Sequence, residues 1–224
     1  MPFDPVTLVQ KIAIWALPVL LAITVHEASH GYVARALGDP TAERLGRLSL
    51  NPFKHIDPLG TVILPIVLLV LGGFLFGWAK PVPVVMQNLK NPRRDMALVA
   101  LAGPFSNGVM AIAWALLLKI ALTQDVQEGL WLGIRLMAVA GISINIVLMV
   151  LNLLPLPPLD GGRVLTGLLP ESMARKVDRA EPYGLIILLG LMFTGILGKI
   201  MFWPMALSEF ALFQFIGINS SALY

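Results

Sequence analysis

The sequence predicts an all-α polytopic membrane protein, a compact bundle of about five to six membrane segments. Three observations carry that prediction. Of the 224 residues, 57% are hydrophobic and 13% are charged, whereas soluble domains are about half apolar and a quarter charged. The apolar residues gather in long runs at 7–33, 59–78, 96–122, 129–154 and 183–203, and a shorter run at 205–218 follows Pro204. Runs of that length match a hydrocarbon core of ~30 Å at ~1.5 Å per helical residue. The polar connections 34–58, 79–95, 123–128 and 155–182 are too short to hold another folded domain, so residues 1–224 read as a single domain.

The first run is too long for a signal-peptide core and has no small-residue cleavage site. Cysteine is absent, which leaves histidine and carboxylate as the available metal ligands. The net charge is only +3, and no basic patch is interleaved with aromatics. The bilayer, not nucleic acid, is therefore the expected environment.

Charge placement orients the runs. Connection 34–58 holds Arg35, Arg44, Arg47 and Lys54, connection 79–95 holds Lys80, Lys90, Arg93 and Arg94, and connection 155–182 holds Arg163, Arg175, Lys176 and Arg179. Connection 123–128 has no basic residue. Positive-inside reasoning puts the first three in the cytoplasm and the fourth outside. That assignment requires run 59–78 not to cross. Its Pro65 and Gly72-Gly73 fit a re-entrant hairpin, which is permitted where protein or water satisfies the backbone, and they also fit a kinked spanning helix.

The first run contains Val25-His26-Glu27-Ala28-Ser29-His30-Gly31, an H-E-x-x-H pattern in a helical apolar stretch. His26 and His30 lie one turn apart on one face, a spacing that lets two nitrogens reach one metal at ~2.0–2.1 Å. Glu27 is turned by ~100° and can sit beside the metal without binding it. Each ionisable group at membrane depth costs at least ~2–3 kcal/mol, so three within five residues point to function. A catalytic zinc needs a third protein ligand and an open position.

Asn152-Leu-Leu-Pro-Leu-Pro-Pro-Leu-Asp160-Gly161-Gly162 offers that ligand. Pro155, Pro157 and Pro158 break the helix over 152–160, presenting Asp160 on unwound backbone, and the two glycines allow a tight turn and close approach. The pairing bears on topology. One metal shared by residues 26, 30 and 160 needs an even number of crossings between them, which again makes 59–78 the segment that turns back. Asn145 reads as helix–helix glue. Asn152 and Asn107 each fit either such glue or a contact to the substrate or its oxyanion. His55 reads as a loop histidine, with a transient ligand or gate as the lesser reading.

Together these blocks resemble the site-2 protease family of intramembrane zinc metalloproteases. His26-Glu27-Ala28-Ser29-His30-Gly31 is similar to the family's zinc helix, Ala102-Gly103-Pro104 to its central-helix motif, and Asn152 to Gly162 to its N-x-x-P-x-P-x-L-D-G block. The order agrees, and the likeness is to the minimal branch without a PDZ or CBS domain. The resemblance implies one zinc per chain on His26, His30 and Asp160, Glu27 as base, and Asn152 steadying the oxyanion. The expected function is hydrolysis of a peptide bond in or near a transmembrane segment of a protein or peptide substrate. It would take place in a bacterial-type cell membrane with the active site toward the cytoplasm. Segment 80–86 is a candidate edge for an extended substrate. The alternative is a proteolytically silent adaptor or metal-binding membrane protein on the same scaffold. A di-metal lipid desaturase would need more than the three histidines present.

Overall fold

The computed structural model describes residues 5–63, 67, 77, 79–124 and 129–217, and these contain helices and connecting turns but no strand. The main helices are α1 (Pro5–Ala36), α2 (Pro92–Leu122), α3 (Leu130–Asn152), α4 (Asp160–Leu168), α5 (Glu171–Asp178), α6 (Glu181–Phe193) and α7 (Ile196–Ile216). Four are long and apolar enough to cross a membrane: α1 over Val9–Ala36, α2, α3 and α7. Their outer faces carry Phe105, Phe215 and Trp203 at 74%, 78% and 68% exposure. A continuous apolar surface of this kind is stable against lipid and costly against water.

The fold class agrees with the sequence reading, but the segmentation near the C-terminus does not. The runs 183–203 and 205–218 were divided at Pro204. The chain instead breaks at Thr194–Gly195, where Gly195 takes left-handed backbone (φ 71°). Pro204 lies inside α7, as membrane helices allow when neighbours re-satisfy the freed backbone group. This leaves α6 as a shorter apolar helix and α7 as the last span.

Polar side chains fix the helix directions. His30 meets Val99 and His26 meets Asn107, so α1 and α2 run antiparallel. Asn107 then donates to Asn145 of α3 at 2.9 Å. Lys119 Nζ donates to the Ile216 carbonyl at 2.6 Å, which sets the end of α7 beside the end of α2. Between these points Ala111, Ala115 and Leu118 of α2 pack on Ala138, Ile142 and Ile146 of α3 and on Phe213 of α7. Small side chains let the backbones approach, which drives association where lipid is as apolar as leucine.

Connections 34–58 and 79–95 form one layer at the end where α1 stops and α2 starts. Lys90 N donates to Leu37 O, Lys80 N to His55 O, and Arg47 to Lys80 O. Fully buried Asp39 is the clamp: Oδ2 accepts from Val85 N at 2.6 Å, and Oδ1 accepts from Asn88, Thr41 N and the Thr41 hydroxyl. Burial alone would raise its pKa, but hydrogen bonds from Asn88, Thr41 and Val85 outweigh it and hold the carboxyl below its ordinary value. The clamp is therefore ionised and intact at neutral pH. Residues Pro58–Ile63 form a π-helical turn. Most of the segment read as a re-entrant hairpin lies outside the described residues, but the chain enters and leaves it at the same end of the bundle.

The proline block opens the helix where the sequence places the break. α3 stops at Asn152, residues 153–159 turn, and α4 starts at Asp160. Gly161 and Gly162 are not the tight turn expected of them; they sit in the first turn of α4. Close approach is what requires them. A Cβ on Gly161 would lie 2.4 Å from the Leu153 carbonyl oxygen, and one on Gly162 would lie 2.5 Å from Pro157 N.

Candidate metal centre

The H-E-x-x-H turn of α1 faces the start of α2 and the first residue of α4. His26 Nε2, His30 Nε2 and Asp160 Oδ2 form a triangle with edges of 3.1, 3.2 and 3.4 Å. All three residues are buried, and their ligand atoms form a group able to hold a metal ion.

The tautomers follow from the outer contacts. Asn107 donates through Nδ2 to Asn145 and to the Ala22 carbonyl, so its Oδ1 accepts. His26 Nδ1, 2.6 Å from that oxygen, must then carry a proton. His30 Nδ1 donates to the Val99 carbonyl at 2.7 Å. In its neutral form each imidazole therefore turns a lone pair on Nε2 into the centre, the orientation an outer hydrogen bond gives a metal-binding histidine.

Asp160 Oδ2 is buried with no hydrogen bond in line with it. Three lone-pair atoms thus face one another, and a cation resolves their repulsion. Tetrahedral zinc with bonds of ~2.0–2.1 Å sets its ligand atoms about 3.3 Å apart, close to the observed edges. The donor set of two imidazoles and a carboxylate fits zinc with an open fourth position.

Glu27 is half-buried beside this triangle and is not one of its corners. Its Oε2 accepts from Val82 N at 2.8 Å, and its side chain lines the cavity of about 140 Å³ above the ligand atoms. Asn152, at the end of α3, lines the same cavity. One amide proton of Asn152 goes to Leu148 O at 3.0 Å, and the other is free to face a ligand.

With the geometry in view, comparison with known proteins is specific. Over 188 residues, 83% of this chain and 82% of the relative, the sequence is 42% identical to a Bacillus subtilis protein named Putative zinc metalloprotease YwhC. The model of the family described as peptidase family M50 matches residues 120–197. This chain belongs to peptidase family M50. Proteins named Putative zinc metalloprotease Rip2 also match this M50 chain. The one from Mycolicibacterium smegmatis is 31% identical over 90% of the chain and 73% of the relative. The one from Mycobacterium tuberculosis is 33% identical over 76% of the chain and 62% of the relative. No solved structure matches it. Family membership and four membrane-capable helices make this M50 chain an integral membrane protein.

The other residues singled out in the sequence lie outside the metal group. Asn107, which the sequence leaves open between helix glue and a substrate or oxyanion contact, is fully buried behind His26 with both ends of its amide engaged. Asn145 is also buried, donating to Gly141 O, in the bridging position expected of helix glue. His55 is buried in the loop layer, with Nε2 donating to Ser49 O, and is not part of the metal group. Residues 80–85 carry no regular secondary structure, with Val85 in extended backbone, and they line the cavity through Pro81, Val82 and Val84. Val82 was missed as a single residue, because a main-chain N–H leaves no trace in residue type.

Proposed function

We propose that this M50 chain is an intramembrane endopeptidase. It hydrolyses a peptide bond in or next to a membrane-spanning segment of a substrate, with one zinc on His26, His30 and Asp160. The observation that supports it most is the buried triangle of three lone-pair atoms at metal-ligand spacing, with a carboxylate alongside, inside a bundle of apolar helices. Zinc bound there supplies a water of pKa near ~7 and polarises the scissile carbonyl.

The chain's own residues supply the rest. Val82 N–H anchors Glu27 Oε2, leaving Oε1 to take the proton of the attacking water and return it to the leaving amine. Asn152 aims its free amide proton at the developing oxyanion. Asn107 keeps His26 in one tautomer and one orientation. A substrate helix hides its peptide groups in its own hydrogen bonds and must unwind to react. Residues 80–85, where Val84 has no hydrogen bond among the described residues, support an unwound strand being received along that edge.

The test is reconstitution. Protein stripped by a chelator should not cleave a membrane-spanning model substrate in proteoliposomes, and stoichiometric zinc should restore cleavage. Full activity of the stripped protein refutes the reading.

Two further outcomes discriminate the roles. Asn152→Ala should lower turnover by ~10²-fold with zinc retained. Asn107→Leu should instead weaken metal binding, roughly 10–100-fold, because it frees His26 to rotate. The reverse pattern, measured by zinc titration and single-turnover cleavage, would exchange the two assignments.

We place the metal end at the cytoplasmic face, because its loop layer carries Arg44, Arg47, Lys54, Lys80, Lys90, Arg93 and Arg94. Single cysteines at Leu50, Lys90 and Gln124, in a chain with none of its own, should then react differently with an impermeant reagent on intact cells. Gln124→Cys should label, whereas Leu50→Cys and Lys90→Cys should label only after permeabilisation.

A further inference from the structure

Three cavities meet at one side chain. The metal cavity is bordered by a larger, mostly apolar cavity of about 390 Å³ that runs past Leu148, Leu151 and Leu185. A partly polar cavity of about 260 Å³ lies toward the loop layer, between Arg93, Thr166, Asp178 and Glu181, with Met86 and Met96 also in its wall. Arg163 is the one described residue that lines all three. It stands in the first turn of α4, three residues after Asp160, so the backbone that holds the carboxylate also holds the guanidinium. Its side chain is exposed, and among the described residues it has neither an ion pair nor a hydrogen bond.

A permanently charged group with five donors thus waits where the apolar, metal and polar spaces join. Unwinding a substrate helix strips its carbonyl oxygens of their partners, and an unpaired carbonyl in such a site is costly. The planar fork of arginine suits this task better than a lysine point charge.

We propose that Arg163 is the substrate-holding residue of this site: its guanidinium takes the main-chain carbonyls of the unwound segment where that segment passes from the metal into the polar cavity. The inference rests on the metallopeptidase reading above, and it assigns the polar cavity to the part of the substrate that leaves the membrane. An exposed arginine at a membrane end also attracts lipid phosphate, and that source predicts a different outcome.

The test uses the full-length zinc-loaded protein in detergent and two ligands. Acetohydroxamate carries only a metal-binding group, and a peptidyl hydroxamate adds an extended main chain. Wild type should bind both. Arg163→Met should lose about tenfold to hundredfold in affinity for the peptidyl ligand, with acetohydroxamate affinity and zinc content unchanged. Arg163→Lys should recover part of the loss. In cleavage, KM should rise more than kcat falls. Unchanged peptidyl affinity in Arg163→Met, the result expected of a lipid-phosphate contact, overturns the inference alone. Loss of zinc or of acetohydroxamate binding in both variants would assign Arg163 a structural role and overturn it as well. Wild-type protein that binds neither ligand overturns the metallopeptidase reading, and the inference with it.

Discussion

Glu27→Gln is expected to abolish peptide hydrolysis and leave the zinc in place. His26→Ala, His30→Ala and Asp160→Ala are each expected to lose most of the zinc. The separation follows from the corners of the triangle. Three ligand atoms lie 3.1–3.4 Å apart, and Glu27 is not among them. Its contact within the protein is the bond from Val82 N, which a glutamine carbonyl oxygen can accept equally well. The substitution therefore spares the fold, the loop layer and the metal. What it removes is a proton acceptor, and general-base catalysis is worth ~10²–10⁴ in rate. Removing a ligand atom acts earlier. Two donors do not make a closed zinc site, and the two remaining ligands keep their buried polar groups without a cation to face. Zinc per chain by elemental analysis, measured beside cleavage of a membrane substrate, reads both effects. Wild-type turnover in Glu27→Gln would remove Glu27 from the chemistry. Full zinc in all three ligand variants would place the metal elsewhere.

How much of this was legible in the sequence depends on whether a feature is local. H-E-x-x-H is written within one helical turn, so periodicity alone puts His26 and His30 on one face. The prolines between Asn152 and Asp160 likewise stop α3 by their own chemistry. Asp160 could be joined to the histidines on chemistry alone, because a catalytic zinc needs a third ligand, the chain has no cysteine, and the proline block presents a carboxylate on unwound backbone. The residues that resisted are those whose meaning lies in a distant partner. Asp39 is an unremarkable loop acid until Val85 and Asn88 come to it from across the layer. Asn107 looks like any amide in a membrane helix until His26 faces it. Arg163 was read only as part of a loop's charge and stands at the junction of three cavities. The displaced break near the C-terminus has a related cause. Pro204 is the stronger breaker by residue type, yet packing in a bundle can satisfy its neighbours, and the chain turns at Gly195 instead.

Gly103→Ala should cost this protein its metal, although alanine is the better helix former. Gly103 lies inside α2, where replacing glycine by alanine gains up to ~1 kcal/mol of helix propensity. On backbone grounds the substitution should stabilise. The contacts decide otherwise. A Cβ at this position would lie 2.5 Å from His30 Nε2 and 2.6 Å from both Nε2 and Cε1 of His26. It would intrude on the two nitrogens proposed to bind the ion. The imidazoles cannot swing aside cheaply, because His26 is held by Asn107 and His30 by the Val99 carbonyl, and both partners belong to the same helix as Gly103. The strain must be relieved by parting α1 from α2 or by breaking those bonds, and either change spoils the ligand geometry. We expect a loss of roughly 10–100-fold in zinc affinity, with hydrolysis falling alongside it and the helical content of the purified protein unchanged. Gly108→Ala, one and a half turns further along, is the control. Its Cβ would meet only the flexible Met149 sulfur at 3.3 Å, so zinc and activity should stay near wild type. If Gly103→Ala binds zinc as tightly as Gly108→Ala, the close approach of α2 to the histidines is not what shapes this site.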